Sequence, residues 1–146
     1  MLGVHGTAAY YWASEWLPLG LRSRLSSDET MIFGAFGPEL VGSVGLYRET
    51  HLKTAHKVFV WGMYVKATHR GQQLGRRLVE TAISHARTLK NVNQIQLSVS
   101  EAAPEARRLY ESLGFVVWGS EPLALCHQGQ YVTEHHLTLQ LRKNND

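Results

Sequence analysis

The stretch from Lys57 to Val65, KVFVWGMYV, runs straight into a short glycine-containing connector and then into a long amphipathic pattern. Its β-branched and aromatic side chains favour an extended chain. Its near-continuous apolarity predicts a strand covered on both faces. Leu74, Leu78 and Ala82, interleaved with Val79, Ile83 and Ala86, recur at helical spacing and predict a helix from about Gln72 to Leu89. Ile95, Leu97 and Val99 then alternate with polar residues, the period of a half-buried strand. Strand, helix and strand in this order mean helices layered on a mixed sheet.

The flanks extend the same architecture. Met31–Phe36 and Val41–Tyr47 are β-like runs around Gly37-Pro38-Glu39 and read as a hairpin. Pro104 suits a first helical turn, and Ala106, Leu109, Tyr110 and Leu113 continue a short helix that Gly114 ends. Phe115–Trp118 and Tyr131–Leu141 read as two more strands, separated by a turn region holding Pro122 and Gly129. Before them all, Trp12, Trp16, Leu17, Leu21 and Leu25 within residues 8–26 fall at roughly helical spacing, broken by Pro18 and Gly20, which predicts one or two short helices. No repeat or linker interrupts residues 1–146, a length that fits one domain. A single cysteine, Cys126, excludes an intramolecular disulfide and a Cys-rich zinc site, and points to a reducing compartment. No apolar run reaches membrane-spanning length. The first residues also lack a basic n-region and a clean apolar core, so the expectation is a soluble cytoplasmic protein with no membrane partner.

Charge is unevenly placed. Residues 66–90 hold Lys66, Arg70, Arg76, Arg77, Arg87 and Lys90 against the single acid Glu80, although the whole chain carries only +3. The basic character therefore belongs to one stretch and suggests a local anionic partner. Three of these arginines flank the connector between the strand and the helix, Ala67-Thr68-His69-Arg70-Gly71-Gln72-Gln73-Leu74-Gly75-Arg76. A helix N-terminus presents unpaired N–H groups and the positive end of the helix dipole, and glycine lets backbone approach an anion closely. The connector is neither a Walker loop nor a GxGxxG dinucleotide fingerprint.

In that setting the connector resembles motif A, Q/R-x-x-G-x-G/A, of the GNAT family of acetyl-CoA-dependent N-acetyltransferases. Ala106-Arg107-Arg108-Leu109-Tyr110-Glu111-Ser112-Leu113-Gly114-Phe115 resembles the motif B signature of the same family. The tail, Trp118–Pro122 and Tyr131–Glu134, is similar to the closing strands of bacterial members, so the resemblance covers about residues 31–142. It implies an α/β GNAT fold, with a mixed, mostly antiparallel sheet flanked by helices. The fold is shortened at its N-terminus, with the first strand missing or improvised by Leu2–Val4. By resemblance, Arg70, Gly71, Gln72, Gln73, Leu74, Gly75 and Arg76 hold the pyrophosphate of acetyl-CoA. The strand backbone around Met63, Tyr64 and Val65 pairs with its pantetheine arm, and Tyr110 protonates the departing thiolate. Gln73 stands where the motif has its middle glycine, and Ala103 where an asparagine is often found.

The implied reaction is acetyl transfer to a primary amine: a small amine, an amino acid or a peptide. Glu134 shares a strand face with His136 and is a candidate general base, directly or through water. The eight histidines show no metal-ligand spacing, so no metal is expected. No basic stripe interleaved with aromatics supports a nucleic-acid partner. A sheet lacking its first strand would expose the edge of Met31–Phe36 and favour a homodimer. The rival function is an acyl-CoA-binding or interaction module on the same fold that does not turn over.

Overall fold

The computed structural model describes residues 2–4, 8–11, 30–37, 39–71 and 73–141. The elements are β1 (Leu2–Val4), β2 (Ala8–Tyr11), β3 (Thr30–Phe36), β4 (Leu40–Arg48), β5 (Lys57–Val65), α1 (Leu74–Thr88), β6 (Gln94–Ser100), α2 (Pro104–Ser112), β7 (Val116–His127) and β8 (Gln130–Gln140). They build one sheet in the order β1-β2-β3-β4-β5-β6-β8-β7. Every neighbouring pair is antiparallel except β5 and β6, which α1 connects in parallel.

Both helices pack on one face of this sheet. Leu78, Val79, Ala82 and Ala86 of α1 and Tyr110 of α2 join Val44, Val58, Ile95, Leu97 and Leu137 in a single buried cluster. The apolar spacing read from the sequence is therefore the face α1 buries, and Ile95, Leu97 and Val99 are the buried side of β6. Pro104 opens α2, where its missing N–H costs nothing, and Gly114 turns the chain out at φ +100°. No helix among the described residues is long and apolar enough to cross a membrane.

Three expectations need correction. Leu2–Val4 does form a strand, but Ala8–Tyr11, expected to be helical, is a strand too and pairs with β3 through Ala9↔Phe36 and Tyr11↔Gly34. The edge of Met31–Phe36 is thereby paired, which removes that edge as a reason for dimerisation; the helices expected within residues 12–26 lie outside the described residues. Pro122 does not lie in a turn between two strands. It falls inside β7 at an irregularity between Glu121 and Leu125, and the hairpin turns at Gln128 and Gly129, both at positive φ. Finally, β5 is not uniformly buried along its length. Val58 and Val60 are buried beneath the helices, whereas Phe59 and Trp61 are half-buried and Tyr64 is 50% exposed.

The feature that shapes the rest is a bulge in β5. Gly45 pairs with Trp61 and Ser43 with Tyr64, so Gly62 and Met63 together oppose Val44. Gly62 takes φ +60°, and its carbonyl accepts a hydrogen bond from Ser43 Oγ at 3.2 Å. A bulge bends its strand. The parallel ladder between β5 and β6 accordingly runs only from Lys57↔Gln94 to Phe59↔Gln96, and beyond it the two strands separate. A Cβ on Gly62 would meet nothing within 4 Å, so the demand for glycine is conformational. Gly62→Ala is therefore expected to lower the unfolding free energy by about 1–2 kcal/mol, and Gly62→Asn by less, because Asn tolerates the left-handed region. Urea denaturation of the two variants checks this; equal stabilities in both and the parent would remove the bulge as a point of strain.

Candidate active site

Where β5 leaves its neighbour, the chain builds a cleft. Val65 ends the strand, the Lys66 N–H donates to the Val41 carbonyl at 2.7 Å, and Ala67–His69 make one 3₁₀ turn. Arg70 Nε donates back to the Val65 carbonyl at 3.2 Å, tying the loop to the strand it left. Gly71, at φ +80°, swings the backbone around, and Gln73 enters α1 at φ 62°. The position expected to be a close-approach glycine thus takes the left-handed conformation a glycine would prefer, at some cost to a residue with a Cβ. No side chain caps the first turn of α1, and no acid lies in it, so its N–H groups and dipole face the cleft.

The cleft holds about 370 Å³. Of the residues the resemblance assigned to cofactor binding, Met63, Val65, Arg70, Gly71, Gln73, Leu74, Gly75 and Arg76 line it. Tyr64 does not: it lies between Met63 and Val65 on the strand and therefore turns to the opposite face. Gln72 lies outside the described residues. His69, Glu105, Ala106 and Leu109 complete the wall and were missed. The last three come from α2, and only packing of the two helices could reveal them. Gly75 is where that packing is tightest, since a Cβ there would lie 3.1 Å from Met63 Cε and 3.4 Å from Leu109 Cδ2. Arg76 spans the same junction: its Nη2 donates to Ser112 Oγ at 2.6 Å, and its Nη1 lies 3.6 Å from Glu80 Oε1.

Tyr110 is the one fully buried residue of α2, 5% exposed, with its ring set edge-on to Phe115 at 6.0 Å. Burial pushes its phenol above the usual tyrosine range, so it stays protonated at neutral pH. Its hydroxyl makes no hydrogen bond to a described residue. It does not line the cleft itself.

The other face of the sheet carries the acidic groups. Glu134 pairs with Ser100 of β6 and with Glu121 of β7; His136 pairs with Ser98 and Gly119. Carboxylate oxygens of Glu121 and Glu134 and a ring nitrogen of His136 lie within 4.8 Å of one another, a grouping able to share a cation. The alternation read from the sequence holds. His136 shares this face with Glu134, whereas His135 turns to the helix side, is buried at 8% exposure and bonds Ser120 Oγ through Nδ1 at 2.7 Å. Glu121 was missed, because only the register of β7 against β8 brings it beside Glu134.

The model of the acetyltransferase (GNAT) family matches residues 5–115 of this chain. A mycothiol acetyltransferase of Thermobispora bispora is 44% identical over 62 residues, which make up 42% of this chain and 20% of that protein. The match thus spans about a fifth of that relative's length. Among solved structures, a phosphinothricin N-acetyltransferase described as provisional shares 16% identity at a TM-score of 0.79, covering 94% of this chain and 100% of that one. Arabidopsis thaliana NAA60 in complex with acetyl-CoA shares 14% identity at a TM-score of 0.71, covering 85% and 84%. These likenesses agree in fold with the strand, loop and helix that form the cleft, and the chain belongs to the GNAT acetyltransferase family.

Proposed function

We propose that this protein transfers an acetyl group from acetyl-CoA to a primary amine by direct attack, with both substrates bound at once. The observation that carries the reading is the cleft at the start of α1, which runs along the half of β5 freed from β6. Acetyl-CoA supplies the activated thioester and the thiolate that leaves. The uncapped first turn of α1, with Arg70 and Arg76 beside it, suits a pyrophosphate. Strand backbone from Met63 to Val65, unpaired with β6, is available to the amides of a pantetheine arm and to a developing oxyanion. Tyr110, held protonated by burial, fits the role of proton donor to the departing sulfur. Glu134, across the sheet from the cleft, fits the acceptor side, where a carboxylate draws in an ammonium and can relay its proton.

The acceptor class we assign is a primary amine, carried by a small molecule or a peptide. The exposed, free thiol of Cys126 fits a reducing, cytoplasmic setting.

Two experiments test this reading. Acetyl-CoA at a hundredfold excess over its Kd is expected to stabilise the fold by about 2.7 kcal/mol, read as a rise in Tm. Gly75→Val, which fills the space between Met63 and Leu109, abolishes that rise while the apo protein still folds; Arg70→Ala weakens it most at low salt. Free thiol release over a panel of amines then separates an enzyme from an acyl-CoA-binding module. An unchanged Tm in millimolar acetyl-CoA overturns the assignment.

Tyr110→Phe removes only the hydroxyl, so acetyl-CoA binding is retained while kcat falls by about 10²–10⁴. The same variant carries a stability signature. Above about pH 10 an unfolded tyrosine ionises while the buried phenol resists, so the parent loses stability with rising pH and the variant loses less. A kcat within about threefold of the parent would reassign Tyr110 to packing.

A further inference from the structure

We propose that His136 is the base that takes the proton from the acceptor's ammonium group, with Ser98 and Trp118 holding its ring in place. The inference deepens the reading above and rests on it. β6 carries Ser98 on the stretch that has separated from β5, and His136 lies directly across from it on β8. The pair therefore borders the gap in the sheet, on the face opposite the helices.

Two contacts fix the imidazole, and a third fixes one of its partners. Its Nδ1 lies 2.7 Å from Ser98 Oγ. The Trp118 ring stacks on it at 5.5 Å and 28°. Trp118 is itself anchored, since its Nε1 donates to Gln96 Oε1 at 3.0 Å. Trp118 follows Val117, which pairs with Leu137 on the helix side, so alternation puts it on this face; a second bulge leaves it without a partner residue, Gly119 pairing with His136. Gly119 leaves open space next to His136, where a Cβ would meet nothing within 4 Å. With Nδ1–H donated to Ser98, the lone pair of Nε2 is available, and it accepts no hydrogen bond from a described residue.

Among the described residues, the charged groups facing this ring are Glu134 on its own strand and Glu121 on β7, the same two whose oxygens lie within 4.8 Å of a ring nitrogen. They attract an ammonium to the ring. An imidazole held at Nδ1 by Ser98 presents its Nε2 lone pair in a fixed direction, the geometry a general base needs. The division of labour follows: Glu134 and Glu121 dock the cation, and His136 removes its proton. The N–H bond of the ammonium breaks and its proton passes to Nε2. The freed nitrogen pair bonds to the acetyl carbon, the C–S bond breaks and the sulfur takes its proton from Tyr110. The second proton on the new amide nitrogen then leaves and restores the Tyr110 phenol, so the products are the amide, the free thiol and the His136 imidazolium.

His136→Gln, which retains a donor for Ser98 but no base, is the decisive variant, assayed against pH with an amine the parent acetylates. The expected result is a kcat/KM reduced by about 10²–10⁴ near neutral pH, with the deficit shrinking as pH rises and more amine arrives unprotonated. The Tm rise in acetyl-CoA is unchanged. Ser98→Ala, a positioning change, gives a smaller loss of about tenfold with the low-pH limb displaced. A His136→Gln variant within about threefold of the parent, with the same pH profile, overturns the role of His136 alone and returns it to Glu134. A uniform loss at every pH together with a lost acetyl-CoA shift makes His136 structural. Activity abolished by a chelator and restored by zinc makes the three side chains a metal site instead. A parent that releases thiol with no amine overturns the proposed reaction and this role with it.

Discussion

The bend at Gly62 governs how this molecule is put together. A parallel pair of strands under a crossover helix would ordinarily stay laddered along its length, and every backbone group between them would be spent on the partner strand. Two residues of β5 opposing one of β4 turn the second half of β5 away instead. β5 remains anchored to β4 as far as Gly42↔Val65, and β6 to β8 as far as Ser100↔Glu134, so the opening is held from both sides. The fold keeps its core beneath α1 while one seam of the sheet gives up its own pairing.

That seam separates two electrostatic environments. On the helix side, the bare first turn of α1 and the arginines of the loop favour an anion. On the other side, Glu121 and Glu134 favour a cation. In the reaction proposed above, an anionic acyl donor and a cationic acceptor approach from opposite faces and meet where the strands part. Arg76 is only partly available to the anion, because Ser112 and Glu80 already engage it. Its second role is to tie α1 to α2, which holds Tyr110 in register with the cleft. Glu105 adds an acid to the wall of the cleft, so a field favourable to an anion there comes from the helix start and Arg70 more than from a uniformly basic lining.

Much of the fold was legible because local rules and tertiary packing agree. The helical spacing of Leu74, Leu78 and Ala82, the alternation of Ile95, Leu97 and Val99, and the Pro104 and Gly114 boundaries all survive in the structure. Disagreement appears where the chain is short or its pattern is ambiguous. Ala8–Tyr11 carries no strand alternation of its own and becomes a strand because β3 offers it an unpaired edge. Pro122 reads as a turn, yet β7 is an edge strand, where a residue without an N–H interrupts no ladder on its outer side. Apolarity along Lys57–Val65 suggested burial on both faces, but half of that strand borders the gap.

The sequence by itself determined one wall of the cleft: a strand, a glycine-bearing loop and an uncapped basic helix start are contiguous, and local backbone geometry suffices to place them. It also put Glu134 and His136 on one strand face, since alternation alone requires it. What surrounds each of them was decided only in three dimensions. Ser98, Trp118 and Glu121 are distant in sequence and reach His136 through strand register and a bulge, quantities set by the pairing of whole strands and by no short pattern of residues.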